Sequence, residues 1–136
     1  MLDCLIMGDS IAVGVHQIKK ECVAYAQLGI NSRNFNKKFV NNQEKDYGSE
    51  VTVISLGSND HRGIHTYDEI VRLREKVKSQ RVYWILPNEQ NFPVQFKEIN
   101  MVAEKYGDFV IKPKFYAKDN VHLTAIGYKE IAKEIE

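Results

Sequence analysis

No apolar stretch in these 136 residues approaches the ~20 that a membrane-spanning helix requires. Clustered base is lacking too. The 19 Lys and Arg residues are spread along the chain against 18 Asp and Glu, which argues against a nucleic-acid footprint. Cysteine is scarce, and Cys4 and Cys22 neither make a framework nor space as a zinc site. Both are expected to be reduced core residues, with no metal bound. Met1-Leu2-Asp3 enters the first expected strand directly, leaving no room for a signal peptide. A cytoplasmic or phage-encoded protein is therefore expected. What remains is the composition of an ordinary globular chain, 43% hydrophobic and 27% charged. Its length suits one domain, residues 1–136, able to bury roughly 68% of its unfolded surface.

The first dozen residues organise the rest. Leu2 to Met7 is a short apolar run, broken only by Asp3, that ends on Gly8, and such runs fit a buried strand. Gly8-Asp9-Ser10 turns sharply into a helix expected over Ile11 to Lys20, with Ile11, Val15 and Ile18 on its apolar side. Cys22 to Ala26 reads as a second strand, and Asn31 or Ser32 can cap a helix running to about Asn41. Val51 to Leu56 is the clearest strand, and it stops on Gly57-Ser58-Asn59-Asp60. A helix from Thr66 or Tyr67 to about Ser79 turns Ile70, Val71, Leu73 and Val77 inward. Arg81 to Leu86 is a fourth strand, and a helix from Phe92 or Pro93 to Tyr106 follows it. Asp108 to Ile111 is a fifth strand, and Thr124 caps a last helix from Ala125 to Glu136.

Strand and helix alternate five times, and the strands are continuously apolar, the pattern of a parallel sheet covered on both faces. The expected fold is an α/β three-layer sandwich, its five strands in flavodoxin-like order 2-1-3-4-5. Ligands of such sheets bind beyond the carboxyl ends of the strands, where the order switches between strands one and three. Ser10 follows strand one and Asn59 follows strand three.

Ser10 also stands at the amino end of the first helix, where unpaired N–H groups favour developing negative charge. A serine hydroxyl there is a nucleophile only if a base takes its proton. Among His16, His61, His65 and His122, the last lies on the right sheet edge, just before the final helix. Asp119 precedes it by three residues, close enough to fix its tautomer and stabilise the imidazolium. Three oxyanion donors can be nominated from the ends of strands one, two and three: the Ser10 N–H, the Gly29 N–H and the Asn59 side-chain amide.

Gly8-Asp9-Ser10-Ile11, Gly29, Gly57-Ser58-Asn59-Asp60 and Asp119-x-x-His122-Leu123-Thr124-x-x-Gly127-Tyr128 resemble the segments of the SGNH hydrolases, the GDSL-type esterases and lipases. The resemblance runs from residue 8 to residue 128. It implies the three-layer sandwich, with Ser10 as nucleophile, His122 as base and Asp119 orienting it. Ser10, Gly29 and Asn59 would form the oxyanion hole, and no cofactor is implied. Ala125 stands where many members carry proline. The implied reaction is hydrolysis of a carboxylic ester, with a short acyl group, such as acetyl on a sugar, as the expected substrate. Activity should fall as pH drops through the titration of the base, about 6.5 for histidine in model peptides.

Plainer roles stand beside these. Ser10 can simply cap the first helix, and Asp9 and Asp60 can hold their loops through backbone hydrogen bonds. His16 is expected at the surface or rim, and Trp84 and Tyr83 in the core. Asn88, Phe92, Phe115 and Tyr116 sit in edge loops and are candidates to line the acyl or leaving-group pocket. Three other functions are compatible with parts of the sequence. Lys112-Pro113 resembles the Lys-Pro turn of receiver domains, yet strand three ends Ser55-Leu56-Gly57, without the phosphate-accepting aspartate. A catalytically silent module binding glycan or protein is a second alternative, and an acyltransferase a third.

Overall fold

Continuous apolar segments build the sheet, and the computed structural model describes residues 2–135. Met1 and the expected helix end at Glu136 lie outside the described residues. The elements are β1 (Leu2–Gly8), α1 (Ser10–Ile18), β2 (Val23–Ala26), α2 (Ser32–Phe39), β3 (Tyr47–Ser55), α3 (Thr66–Lys76), β4 (Val77–Ile85), α4 (Pro93–Tyr106), β5 (Phe109–Ile111) and α5 (Ala125–Glu134). The sheet order is β2-β1-β3-β4-β5, and every paired neighbour is parallel. This is the α/β sandwich in 2-1-3-4-5 order that the sequence predicts.

Successive residues of a strand point to opposite faces, so each strand feeds two cores. Leu5, Met7, Ile54 and Trp84 join Phe35 of α2, Ile70 and Leu73 of α3 and Ile99 of α4 on one face. Ile6, Val53, Ile85 and Ile111 join Ile11 and Val15 of α1 and Ile131 of α5 on the other. Trp84 is fully buried as expected, and its indole N–H donates to Asp108, which also holds Arg74 through two hydrogen bonds. Tyr83 is half-buried and stacks on Phe109, with ring centroids 5.1 Å apart.

Four expectations need correction. Cys4 and Cys22 are joined in a disulfide, S–S 2.02 Å, rather than reduced. Cys4 lies in β1 and Cys22 just before its partner strand β2, and parallel pairing brings their Cα atoms to 4.9 Å, within bridging range. The third helix ends at Lys76 and not near Ser79, because Val77 to Ser79 pair with Tyr47 to Ser49 as the first residues of β4. Polar Ser79 concealed this extension. Inside the sheet it is satisfied by the hydroxyls of Ser49 at 2.8 Å and Thr52 at 2.7 Å. Ile18, expected on the apolar side of α1, ends the helix 42% exposed. The last correction concerns Ser10, which is not the helix cap.

Candidate active site

The turn after β1 is made by backbone geometry that only glycine tolerates. Gly8 has φ +141°, and a Cβ there would come within 1.9 Å of the Ser55 carbonyl oxygen on β3. This close approach lets the Asp9 N–H donate to that same oxygen at 2.9 Å. Asp9 then caps α1, its carboxylate accepting from the Ile11 N–H at 3.0 Å and from the Ser55 hydroxyl at 3.1 Å. The cap falls one residue before Ser10, which leaves the serine hydroxyl free for another partner. Asp9 is 1% exposed, and burial pushes its carboxyl up to about 7.

The partner is His122. Between β5 and α5 the chain folds into a small antiparallel loop: Tyr116 bridges Leu123, the Ala117 N–H donates to the His122 carbonyl, and the Thr124 N–H donates to the Phe115 carbonyl. Asp119 turns the tip, one oxygen accepting from the Val121 and His122 N–H groups, each at 2.9 Å. Its other oxygen lies 2.6 Å from Nδ1 of His122. A carboxylate only accepts, so Nδ1 carries the proton and Nε2 presents its lone pair. Ser10 Oγ lies 2.9 Å from that Nε2 and donates to it. The hydrogen bonds from the His122 ring and the two backbone N–H groups hold Asp119 down to about 2. The chain Ser10–His122–Asp119 is thus continuous, and it lies at the surface, the His122 and Asp119 side chains being 47% and 50% exposed.

The nominated donors follow β1, β2 and β3, the three adjacent strands at the β2–β1–β3 end of the sheet. Ser10 is the first residue of α1, and its N–H has no helical partner. Gly29 has φ +74° in an exposed turn, with nothing within 4 Å of where a Cβ would stand. Its N–H makes no hydrogen bond among the described residues. The Asn59 amide donates to the Ile30 carbonyl at 3.1 Å, which ties it to the residue after Gly29 and leaves its second N–H for a ligand. Behind it, buried Asp60 accepts from the Ser32 N–H at 2.8 Å and from the Ser32 and Thr66 hydroxyls at 2.7 Å each. That knot fixes the starts of α2 and α3 around the Asn59 loop, so Asp60 holds its loop as expected, chiefly through hydroxyls.

The four pocket candidates fall in different places. Asn88 braces the loop that carries Asp119 and His122: its amide donates to the Asn120 carbonyl at 2.8 Å, while its oxygen accepts from the Gln90 N–H. Phe92 is half-buried at the start of α4, and its N–H donates to the Asn88 carbonyl. Phe115 is 45% exposed beside the Asp119–His122 loop, and Tyr116 is half-buried there, burial pushing its hydroxyl up. Asn120 escaped the sequence reading. It adopts φ +59° at the loop tip, a conformation that asparagine tolerates best among residues with a side chain. The Asp119-Asn120 pair was the available signal, since both are turn formers. His16 is half-buried and its Nε2 bonds the Cys22 carbonyl, while His61 and His65 are exposed. Among the described residues no His, Cys, Asp or Glu group is arranged to hold a metal. No described helix is long and apolar enough to cross a membrane.

No protein-family model matches the sequence, and no curated protein matches it either. Solved structures do match. One is a GDSL-like lipase from Bacteroides thetaiotaomicron, 18% identical, with a TM-score of 0.68 over 96% of this chain and 84% of that one. Another is the C-terminal catalytic domain of peptidoglycan O-acetyltransferase A from Streptococcus pneumoniae, 16% identical, with a TM-score of 0.64 over 99% of this chain and 96% of that one. The chain therefore has the fold of the GDSL-type, or SGNH, hydrolases.

Proposed function

We propose that this protein is a serine esterase that cleaves short acyl esters, with acetyl on a saccharide as the substrate, at a site whose His122 and Asp119 side chains are half exposed. The reading is carried by one observation: the unbroken hydrogen-bonded chain from Ser10 Oγ through the His122 ring to Asp119. His122 Nε2 takes the serine proton as Oγ attacks the acyl carbonyl, and Asp119 stabilises the imidazolium. The Ser10 and Gly29 N–H groups and the free N–H of Asn59 receive the oxyanion. His122 then hands the proton to the departing alkoxide. Water, deprotonated by the same ring, releases the acid and restores Ser10. Each proton thus passes through His122, the first from Ser10 to the leaving alcohol and the second from water back to Ser10, and no cofactor enters.

An acyltransferase is the second reading. It is favoured by the exposure of His122, which leaves room for an alcohol in place of water, and by the likeness to an O-acetyltransferase domain. The Cys4–Cys22 disulfide favours an oxidising compartment for this protein over the cytoplasm.

Labelling by a fluorophosphonate probe tests the proposal. The wild type should label, and Ser10→Ala and His122→Ala should not. A panel of 4-nitrophenyl esters of increasing chain length should then show acetate turned over fastest. A folded wild type that takes no label returns the fold to the role of a glycan- or protein-binding module.

A further inference from the structure

The hydrogen bonds from Ala117 to His122 and from Asn120 to Ala117 close the His122 loop on itself. Among the described residues, two hydrogen bonds tie residues 117–122 to the rest of the protein. One runs from Ser10 Oγ to His122 Nε2, the other from the Asn88 amide to the Asn120 carbonyl. The first must break in every turnover, because Nε2 has to pass its proton to the leaving group. The second is a standing tie between the segment after β4 and the tip of the loop, 32 positions apart in sequence.

Asn88 makes this tie from an anchored position. Its backbone carbonyl accepts from the Asn91 N–H at 3.2 Å and the Phe92 N–H at 2.8 Å, and its side-chain oxygen accepts from the Gln90 N–H at 3.1 Å. With the oxygen so engaged, the donating end of the amide is the one that meets Asn120. Buried Pro87 packs against Gly57, and the Leu86 N–H donates to the Ile111 carbonyl. At the other end, the Asn120 carbonyl shares one peptide group with the Val121 N–H, which donates to Oδ1 of Asp119 at 2.9 Å. That peptide is gripped on both sides, and a donor on its carbonyl polarises its N–H towards the carboxylate. Asn120 itself has φ +59°, a left-handed conformation that costs energy in a residue with a side chain and needs support from its surroundings. Asp119 Oδ2 in turn lies 2.6 Å from Nδ1 of His122.

We propose that Asn88 is a positioning residue for the reaction. Through the Asn120–Val121 peptide it keeps Asp119 in line with His122, so that the imidazole proton stays on Nδ1 and Nε2 stays open to the Ser10 proton. The inference rests on the esterase reading and adds a residue to its machinery. It differs from a role in lining the pocket, which would act on KM. It differs also from a role confined to the turn at residues 88–92, which needs only a side-chain acceptor for the Gln90 N–H.

Asn88→Asp separates these roles. It keeps an acceptor for the Gln90 N–H and sets an oxygen against the Asn120 carbonyl where a donor stood. With 4-nitrophenyl acetate as substrate, kcat should fall about tenfold in Asn88→Asp and in Asn88→Ala, with KM little changed. That is the loss expected when a hydrogen bond of ordinary strength is withheld from the transition state. Long-range proton–nitrogen correlation spectra of isotope-labelled protein, taken at about pH 9 where histidine rings are neutral, read the His122 tautomer. The wild type should carry the ring proton on Nδ1, and both variants should show a second population with it on Nε2. If either kcat or the tautomer stays at its wild-type value in Asn88→Asp, or if the wild-type ring carries its proton on Nε2, the inference is overturned. A rise in KM alone overturns it in favour of a pocket role. Asn88→Asp keeps the turn and carries the test by itself if Asn88→Ala does not fold. If the wild type turns over no acyl ester, the esterase reading has failed. The tautomer comparison, which needs no turnover, then decides separately whether Asn88 positions His122.

Discussion

The carboxyl of Asp9 should make the stability of this protein depend on pH in a direction opposite to that of most acids. One of its oxygens is held by the Ile11 N–H and the Ser55 hydroxyl, while Oδ2 has no partner among the described residues. Burial raises its titration from 3.8 to about 7, so the folded state keeps a proton that the unfolded chain releases. The folded state therefore binds more protons between these values, and stability must fall as pH rises through that window. Below about pH 4 the contribution is intact, and above about pH 7 it has been lost. At 1.36 kcal/mol per pH unit, a gap from 3.8 to about 7 amounts to about 4 kcal/mol. Asp9→Asn keeps the oxygen that caps α1 and cannot ionise. Wild type and variant share every other titration, so the difference between them isolates this group. At about 4 °C per kcal/mol for a domain of this size, the variant should gain roughly 15 °C in Tm relative to wild type between pH 4 and pH 8. Paired thermal melts followed by circular dichroism across that range measure it. A Tm difference that stays constant with pH would refute the argument, because it would mean that Asp9 does not change protonation there.

Two further perturbations read the bridge and the oxyanion site. The Cys4–Cys22 disulfide closes a segment spanning 18 positions around α1, and chain entropy values such a closure at about 3 kcal/mol. Cys4→Ser/Cys22→Ser should lose about that much in urea unfolding, and the wild type should yield no free thiol when denatured without reductant; two titratable thiols would sink the claim. Asn59→Ala removes a donor at the proposed oxyanion site and should lower kcat by roughly 10²- to 10³-fold, with a much smaller change in KM. A change confined to KM would remove Asn59 from the transition state.

The periodic parts of the fold were legible because burial on two faces writes a continuous apolar strand, as in Leu5 to Met7 or Val53 to Ile54. What was illegible has a common physical cause, in that the decisive partner is distant in sequence. Ser79 looks like a helix end until Ser49 and Thr52, 30 and 27 positions away, are seen to satisfy its hydroxyl inside the sheet. Cys4 and Cys22 look like two small core residues until β1 and β2 pair. Asn88 reads as a loop residue facing that sheet edge, and only the fold shows its amide donating to the Asn120 carbonyl, 32 positions away.

The same distinction explains why the site was more legible than its substrate. Asp119 and His122 are three residues apart, and the turn that joins them is closed by Asp119 itself, so local chemistry alone orients the imidazole. Ser10 and its helix are fixed by Gly8, whose missing Cβ allows β1 to touch Ser55. These short-range devices need only a parallel sheet to bring Ser10 and His122 to 2.9 Å across 112 positions. The substrate-facing surface has no such local device, since it is assembled from single residues on several loops, each of which reads as solvated on its own.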